Sequence, residues 1–216
     1  MSDKNKIKFD LQKVHDHFQD SVKKANNDDV HLEPYINGYK ELYKFFQLMG
    51  TVFGFVSSDL KSKVDILENL LNDTNKGDNF LTFKSMIEYE KNNDLLDKEE
   101  YVSGSRTLLR LHRGLDFIRE FLRALGELEN CQKTSHVCQI AYNNTLAKYH
   151  PWLVKKGANV AMYTMPTREV LLKKVCGDED DVQRAIAVLP DMLLITADVY
   201  KRTEDLYTNY DLHDLA

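Results

Sequence analysis

The sequence predicts an all-α protein, a two-layer helical sandwich of about eight helices, and three observations carry that prediction. Apolar residues recur at intervals of three and four along almost the whole chain, the period of amphipathic helices. No segment alternates apolar and polar residues as a half-buried strand does. The periodic runs are interrupted by polar clusters, Gly and Pro, the residues that end helices. With 216 residues the chain suits one domain. So many helices exceed a simple four-helix bundle, so they are expected to pack in two layers.

Taken in order, Phe9, Leu11, Val14, Phe18 and Val22 trace a first helix at about 8–25, followed by an Asn-Asn-Asp-Asp turn at 26–29. Pro34 opens the second helix, and Tyr35, Ile36, Tyr39, Leu42, Tyr43, Phe45 and Phe46 carry it to about Met49, before Gly50. Phe53, Phe55 and Val56 read as a short apolar turn. Ser57 or Ser58 then caps a helix at about 59–72, with Asp59 at its positive end. NDTNKGDN, 72–79, is a loop. Further helices are expected at about 80–95, 102–126, 131–149, 151–163, 168–176 and 180–208. Gly104 weakens the start of 102–126 enough to delay it by as much as a turn. Pro190 is expected to kink or split the last helix. VAMYT, 160–164, has a strand-like composition but is too short and isolated to outvote its helical neighbours.

Composition narrows the function. A net charge of −5 offers no general basic footprint for nucleic acid, so any phosphate site must be local. No run of about 18 uncharged apolar residues predicts a transmembrane helix, and MSDKNKIKFDLQ lacks the apolar region of a secretory signal. Cys131, Cys138 and Cys176 are odd in number and wrongly spaced for a zinc knuckle, which suits free thiols in a reducing cytosol and no metal site. Gly-rich phosphate loops, HExxH, GxSxG and local Cys–His signatures are all missing, so neither enzymatic activity nor a cofactor is expected.

The segment GSRTLLRLHRGLDF places Arg106, Arg110 and Arg113 within about 60° of one another on a helix. The same stripe continues into Phe117, Phe121 and Ala124. Leu108, Leu111, Leu115, Ile118 and Leu122 form a nearly opposite core face, and His112, Asp116, Arg119 and Arg123 a polar edge. A solvated charge stripe paired with neighbouring acids is the simplest reading. The turn to Phe117 and Phe121 favours an amphiphile instead, and guanidinium groups form bidentate bonds to phosphate. Asp59 and Lys63 repeat the layout: their stripe continues through Ile66 and Leu70, beside a core stripe of Leu60, Val64, Leu67 and Leu71. Alone, such an i,i+4 pair is a surface contact of about 0.3–0.5 kcal/mol. In AKYHPWLV, Pro151 pushes His150 out of helical geometry, towards a corner between helices with a ring nitrogen free. Trp152, the single tryptophan, reads either as a core residue or as an amphipathic ring at a membrane interface.

SSDLKSK, GSRTLLRLHRGLDF, YNNTLAKYHPWLV and MPTREVLL, with EPYINGYKEL, LMGTVFGFVSSD and the terminal LY…LHDL, resemble the glycolipid transfer protein family. The resemblance covers about residues 8–216 as a single domain and leaves 1–7 as a short N-terminal extension. It implies the two-layer sandwich, with one lipid between the layers and its headgroup at the surface, taken from one membrane to another without ATP hydrolysis. Glycolipid-binding members have Asn where this chain has Lys63 and a sugar-stacking Trp where it has Arg110. Both replacements exchange sugar recognition for cations, so the implied ligand is ceramide 1-phosphate.

The resemblance further implies that Asp59 accepts from the ceramide amide N–H, that His150 donates to its carbonyl, and that Lys63, Arg106 and Arg110 hold the phosphate. Arg113 would support the site, and Trp152 would contact the membrane. A phosphomonoester carries about −1.5 to −2 charge, which three cations balance while Asp59 offsets their excess. Burying either amide group unpaired costs about 1–3 kcal/mol, so one acceptor and one donor are needed. Each buried CH₂ contributes about 0.8 kcal/mol, with Phe46, Phe53, Phe55, Ile66, Phe117, Phe121 and Val160 as expected lining. The implied protein is a cytosolic monomer that visits membranes such as Golgi, plasma membrane or endosomes and binds no nucleic acid. Two other readings stand beside it: transfer or sensing of a glycosphingolipid, and a helical adaptor whose basic stripe docks an acidic protein.

Overall fold

Each apolar stripe becomes the buried face of a helix. The computed structural model describes residues 7–25, 28–50 and 53–215, and the expected extension at 1–7 therefore lies, apart from Ile7, outside the described residues. Nine α-helices form among the described residues: α1 (Leu11–Lys23), α2 (Leu32–Met49), α3 (Gly54–Leu71), α4 (Phe83–Asn92), α5 (Gly104–Glu127), α6 (Ser135–Asn144), α7 (Trp152–Tyr163), α8 (Arg168–Cys176) and α9 (Glu179–Tyr210). Short 3₁₀ turns occupy Gly77–Phe80 and Ala147–Tyr149. The only β-pairing among the described residues is two isolated bridges, His31 with Thr82 and Lys133 with Thr167.

The two layers close through a circuit in which α1 packs on α2, α2 on α3, α3 on α5, α5 on α9 and α9 on α1. Helices α4 and α6 flank α5, α7 lies on α6, and α8 spans α2 and α9. Phe18, Tyr35, Tyr39 and Phe83 interlock edge-on or tilted at the centre of one contiguous core. Two buried phenols tie this core to α5: Tyr39 Oη donates to the Leu111 carbonyl at 2.6 Å and Tyr207 Oη to the Ser105 carbonyl at 2.5 Å.

Several expected boundaries move, each for a local reason. Helix α3 starts at Gly54, not Asp59, because Phe55 and Val56 continue its period; Ser57 and Ser58 are therefore internal, and Ser57 Oγ donates back to the Gly54 carbonyl at 3.0 Å. Asp59 thus sits in the second turn. The expected helix at 131–149 shortens to α6. Thr134 N and Oγ1 both bond the Pro166 carbonyl, at 3.1 and 2.8 Å, which draws that end into a tertiary pairing. At the other end Thr145 Oγ1 donates to the Ala141 carbonyl at 2.7 Å and the chain turns. The expected start at Phe80 is delayed to Phe83 by a capping box between Thr82 and Ser85. Pro190 does not split α9; it lies on the exposed face, where the carbonyl deprived of its donor can be hydrated. The first four residues of VAMYT are the helical end of α7, and Thr164 is its C-cap. Gly50 ends α2 with φ 108°, a conformation that suits glycine alone.

The start of α5 is governed by one buried acid. Glu90 of α4 is 0% exposed and accepts from Tyr101 Oη at 2.8 Å, Ser103 Oγ at 2.7 Å, Gly104 N at 2.6 Å and Ser105 N at 2.9 Å. Ser103 Oγ in turn accepts from Arg106 N at 3.1 Å, so the first three helical N–H groups all have acceptors. The carboxylate also lies at the positive end of the helix dipole. Gly104 is the first helical residue, with no delay. A Cβ there would meet Met86 Sδ at 2.5 Å and Leu70 Cδ1 at 2.8 Å, so close packing selects the glycine that propensity disfavours.

Further along α5, His112 is buried, not on the polar edge its spacing suggested. It stacks on Tyr200 with ring centres 4.1 Å apart, and Nε2 lies 2.6 Å from Glu204 Oε2 on α9. Burial holds its pKa below the ordinary value, with Glu204 opposing.

Glu90→Ala, which strands four donors in a dry site, should lower the unfolding free energy by about 3 kcal/mol or more. The urea midpoint would report this at unchanged slope, and Glu90→Gln should lose less. A depressed His112 pKa means the unfolded chain takes up a proton first as pH falls below about 6.5. Stability is then complete above that pH and declines below it, by at most about 1.4 kcal/mol per pH unit from this one group. Urea midpoints at pH 7.5 and 5.5 should show the decline, and His112→Gln should shrink it.

Candidate functional site

Helix α5 forms the floor of a cavity of ≈ 540 Å³ whose walls come from α2, α3, α6 and α7. Its interior is apolar: Phe46 and Phe53 from the α2–α3 side, Leu111, Phe117 and Ile118 from α5, and Leu146, Ala158, Ala161 and Met162 from the α6–α7 side. Its polar groups are Asp59 and Lys63 of α3, Arg110 and Arg113 of α5, and His150 with Tyr142 and Tyr149 around the corner before α7. Asp59 and Lys63 share a face because they are one helical turn apart.

Three features set the electrostatics of this group. Lys63 donates to the Asp59 carboxylate; the Lys63 side chain is 15% exposed and the Asp59 side chain 68%, so the acid faces outward and shields the amine. Arg113 Nη2 donates to the His213 carbonyl at 2.7 Å, and its guanidinium carbon lies 3.9 Å from the centre of the Tyr149 ring. Arg110 is exposed and has no hydrogen bond or ion pair among the described residues. It is the uncommitted cation of the group.

His150 stands where Pro151 fixes it, with extended backbone angles of −101° and 139° between the 3₁₀ turn and α7. Its ring Nδ1 is 2.9 Å from Tyr142 Oη. Burial lowers the pKa of the imidazole, Asp59 opposing and Lys63 and Lys155 reinforcing, so the ring is neutral near pH 7.

Arg106 departs from expectation. It does not line the cavity. Its Nη2 donates to the Leu96 carbonyl at 2.9 Å and to Asp97 Oδ1 at 3.2 Å, which ties the first turn of α5 to the segment that follows α4. Helical spacing aligned it with Arg110 and Arg113, but long side chains swing towards available acceptors, and Leu96 and Asp97 supply them. Among the expected lining residues, Phe46, Phe53, Phe55 and Phe117 do line the cavity. Phe121 is core, Ile66 is half-buried outside the lining, and Val160 faces solvent at 67% exposure. Tyr142 and Tyr149 escaped the sequence reading. Their signal, two tyrosines flanking the break before His150, has meaning only once α6 is known to end at Asn144.

Trp152 begins α7 at 62% exposure, with Lys156 4.0 Å over its ring. Leu153, Val160 and Tyr163 leave the same helix with an unusually large exposed apolar content.

Residues 30–177 match the family described as Glycolipid transfer protein (GLTP). The chain is 42% identical over 212 residues to ceramide-1-phosphate transfer protein of Danio rerio, covering 96% of this chain and 98% of that protein. The fold superposes on mouse ceramide-1-phosphate transfer protein in its apo form with a TM-score of 0.88 at 35% identity, covering 96% of this chain and 100% of that one. It superposes on human ceramide-1-phosphate transfer protein in complex with 12:0 ceramide-1-phosphate with a TM-score of 0.84 at 34% identity, again covering 96% and 100%.

Proposed function

The chain belongs to the glycolipid transfer protein family, and from that premise we propose that it carries ceramide 1-phosphate, one molecule at a time, between membranes. The observation that carries this reading is the placement of Lys63, Arg110 and Arg113 at an otherwise apolar cavity, beside one acceptor, Asp59, and one donor, His150. A phosphomonoester of about −1.5 to −2 charge matches the cations, and the aliphatic chains match the cavity. Ceramide 1-phosphate also bound in the human relative cited above.

In this reading Asp59 accepts from the amide N–H and His150 donates to the amide carbonyl. Arg110, already uncommitted, meets the phosphate first. Lys63 turns from Asp59 to join it, and Arg106 joins by leaving Leu96 and Asp97. Arg113, held by the His213 carbonyl and Tyr149, supports the others by charge. Binding and release leave every covalent bond of the lipid intact, so the protein is a carrier and not an enzyme. Residues 8–216 act together as the transfer domain, one chain per lipid. The carrier works in the cytosol and touches membranes such as Golgi, plasma membrane or endosomes only transiently. Trp152 and Leu153 supply the contact, with Lys155 and Lys156 adding weak attraction to anionic lipid. Among the described residues, no helix is long and apolar enough to cross a membrane.

In a vesicle assay with labelled ceramide 1-phosphate, Arg110→Leu and Lys63→Ala should each slow transfer by about tenfold or more, the loss of one charge-assisted contact to phosphate. Arg106→Leu should also abolish most transfer if that side chain joins the phosphate. Wild-type protein that moved galactosylceramide faster than ceramide 1-phosphate would overturn the reading. Trp152→Ala should reduce the transfer rate more than the lipid affinity; equal losses would put Trp152 in the binding site instead of at the membrane.

A further inference from the structure

We propose that Tyr142 is the positioning residue of His150: its phenol donates to Nδ1, keeps the single ring proton on Nε2, and so presents an N–H to the amide carbonyl of the ligand. The proposal rests on the lipid-carrier reading for its ligand, but its structural core stands on the geometry alone.

The two side chains meet at the cavity. Tyr142 lies near the C-terminal end of α6, 4% exposed, its ring edge-on to Phe117 with centres 6.3 Å apart. His150 lies across the helix break. Its backbone N–H donates to the Ala147 carbonyl at 3.2 Å, so the corner that carries the ring is itself fixed. Among the described residues, the 2.9 Å contact is the only hydrogen bond of the Tyr142 hydroxyl and of the His150 ring. Each group is therefore the other's sole partner.

A neutral imidazole has one proton and two nitrogens, and the hydrogen bond made by one nitrogen decides the state of the other. Burial keeps this ring neutral, and burial also raises the Tyr142 pKa, so the phenol retains its proton and is free to donate. Asp59, Lys63 and Lys155 act on the charge of the ring, and Arg110 and Arg113 line the same cavity. Asp59 favours a charged imidazole, but Lys63 is bonded to it and, with Lys155, opposes that effect. A phenol that donates to Nδ1 leaves Nε2 protonated. The opposite tautomer would turn an Nε2 lone pair towards a carbonyl oxygen and repel it. Without the phenol, nothing among the described residues fixes either the tautomer or the orientation of the ring.

The test uses the full chain with ¹⁵N-labelled histidine. In the lipid-free protein at pH 7.5, long-range ¹H–¹⁵N spectra should show His150 with an unprotonated Nδ1 and a protonated Nε2. Tyr142→Phe removes one oxygen and keeps the ring, and circular dichroism would verify the fold. In that variant the two nitrogen shifts should move towards values averaged between tautomers, and the Kd for ceramide 1-phosphate should rise about 2- to 10-fold, the worth of one modest hydrogen bond. In a His150→Ala background the same substitution should leave Kd unchanged. An Nδ1–H tautomer in the wild type, or an unaltered tautomer in Tyr142→Phe, overturns the proposal whatever the lipid data. A shifted tautomer with unchanged Kd overturns the link to the ligand and with it the donor role of His150. Failure of the wild type to bind ceramide 1-phosphate would sink the carrier reading while leaving the spectroscopic result to stand or fall separately.

Discussion

The Glu90 carboxylate determines where α5 begins, and α5 packs on four other helices, α3, α4, α6 and α9. Four donors converge on two buried oxygens, and together they fix the first turn of the helix against α4. From that anchor α5 passes beneath α3, α6 and α9, receives the phenols of Tyr39 and Tyr207 on its own carbonyls, and presents Arg110 and Arg113 to the cavity. A buried anion is costly unless every lone pair is used. Here the cost is met by two hydroxyls and by two backbone N–H groups that a helix start would otherwise leave without partners. The same four contacts therefore satisfy the acid, cap the helix and set the register of the cations.

Much of this was legible in the sequence because burial follows helical period. Val14 and Phe18, Leu60, Val64 and Leu67, and Leu108, Leu111 and Leu115 all bury as their spacing predicts. The helix ends were less legible. Thr134 leaves the helix to bond a carbonyl 32 residues away, and Gly104 is demanded by Met86 and Leu70; both are tertiary facts with no local signal. Asp59, Lys63, Arg110, Arg113 and His150 were identified as candidates from spacing and family resemblance, and they do meet at one cavity. Arg106 does not, because spacing gives the direction of a Cα–Cβ bond and not the acceptor that the end of a long side chain selects. Tyr142 was hidden for the complementary reason: eight residues separate it from His150, and only the break between α6 and α7 folds that distance to a hydrogen bond.

The cavity combines two kinds of surface. Its walls favour hydrocarbon, and its polar groups favour a small anion attached to an amide. Such a mixture is poorly served by water alone. His112 and His150 each keep one ring nitrogen without a partner among the described residues, but His112 Nδ1 is buried in the core whereas His150 lines the cavity, where a ligand can reach its ring.

The internal partners of the cations carry one more consequence. Lys63 is paired with Asp59, Arg106 with Asp97 and the Leu96 carbonyl, and Arg113 leans on the His213 carbonyl, so of these cations Arg110 alone has no internal partner among the described residues. On the proposed reading, loading is in part an ion exchange: the phosphate contacts of Lys63 and Arg106 displace tethered carboxylates, which remain at high local concentration, ready to return. Tethered counter-ions do not diffuse away as salt does, so unloading begins with a competitor already in place.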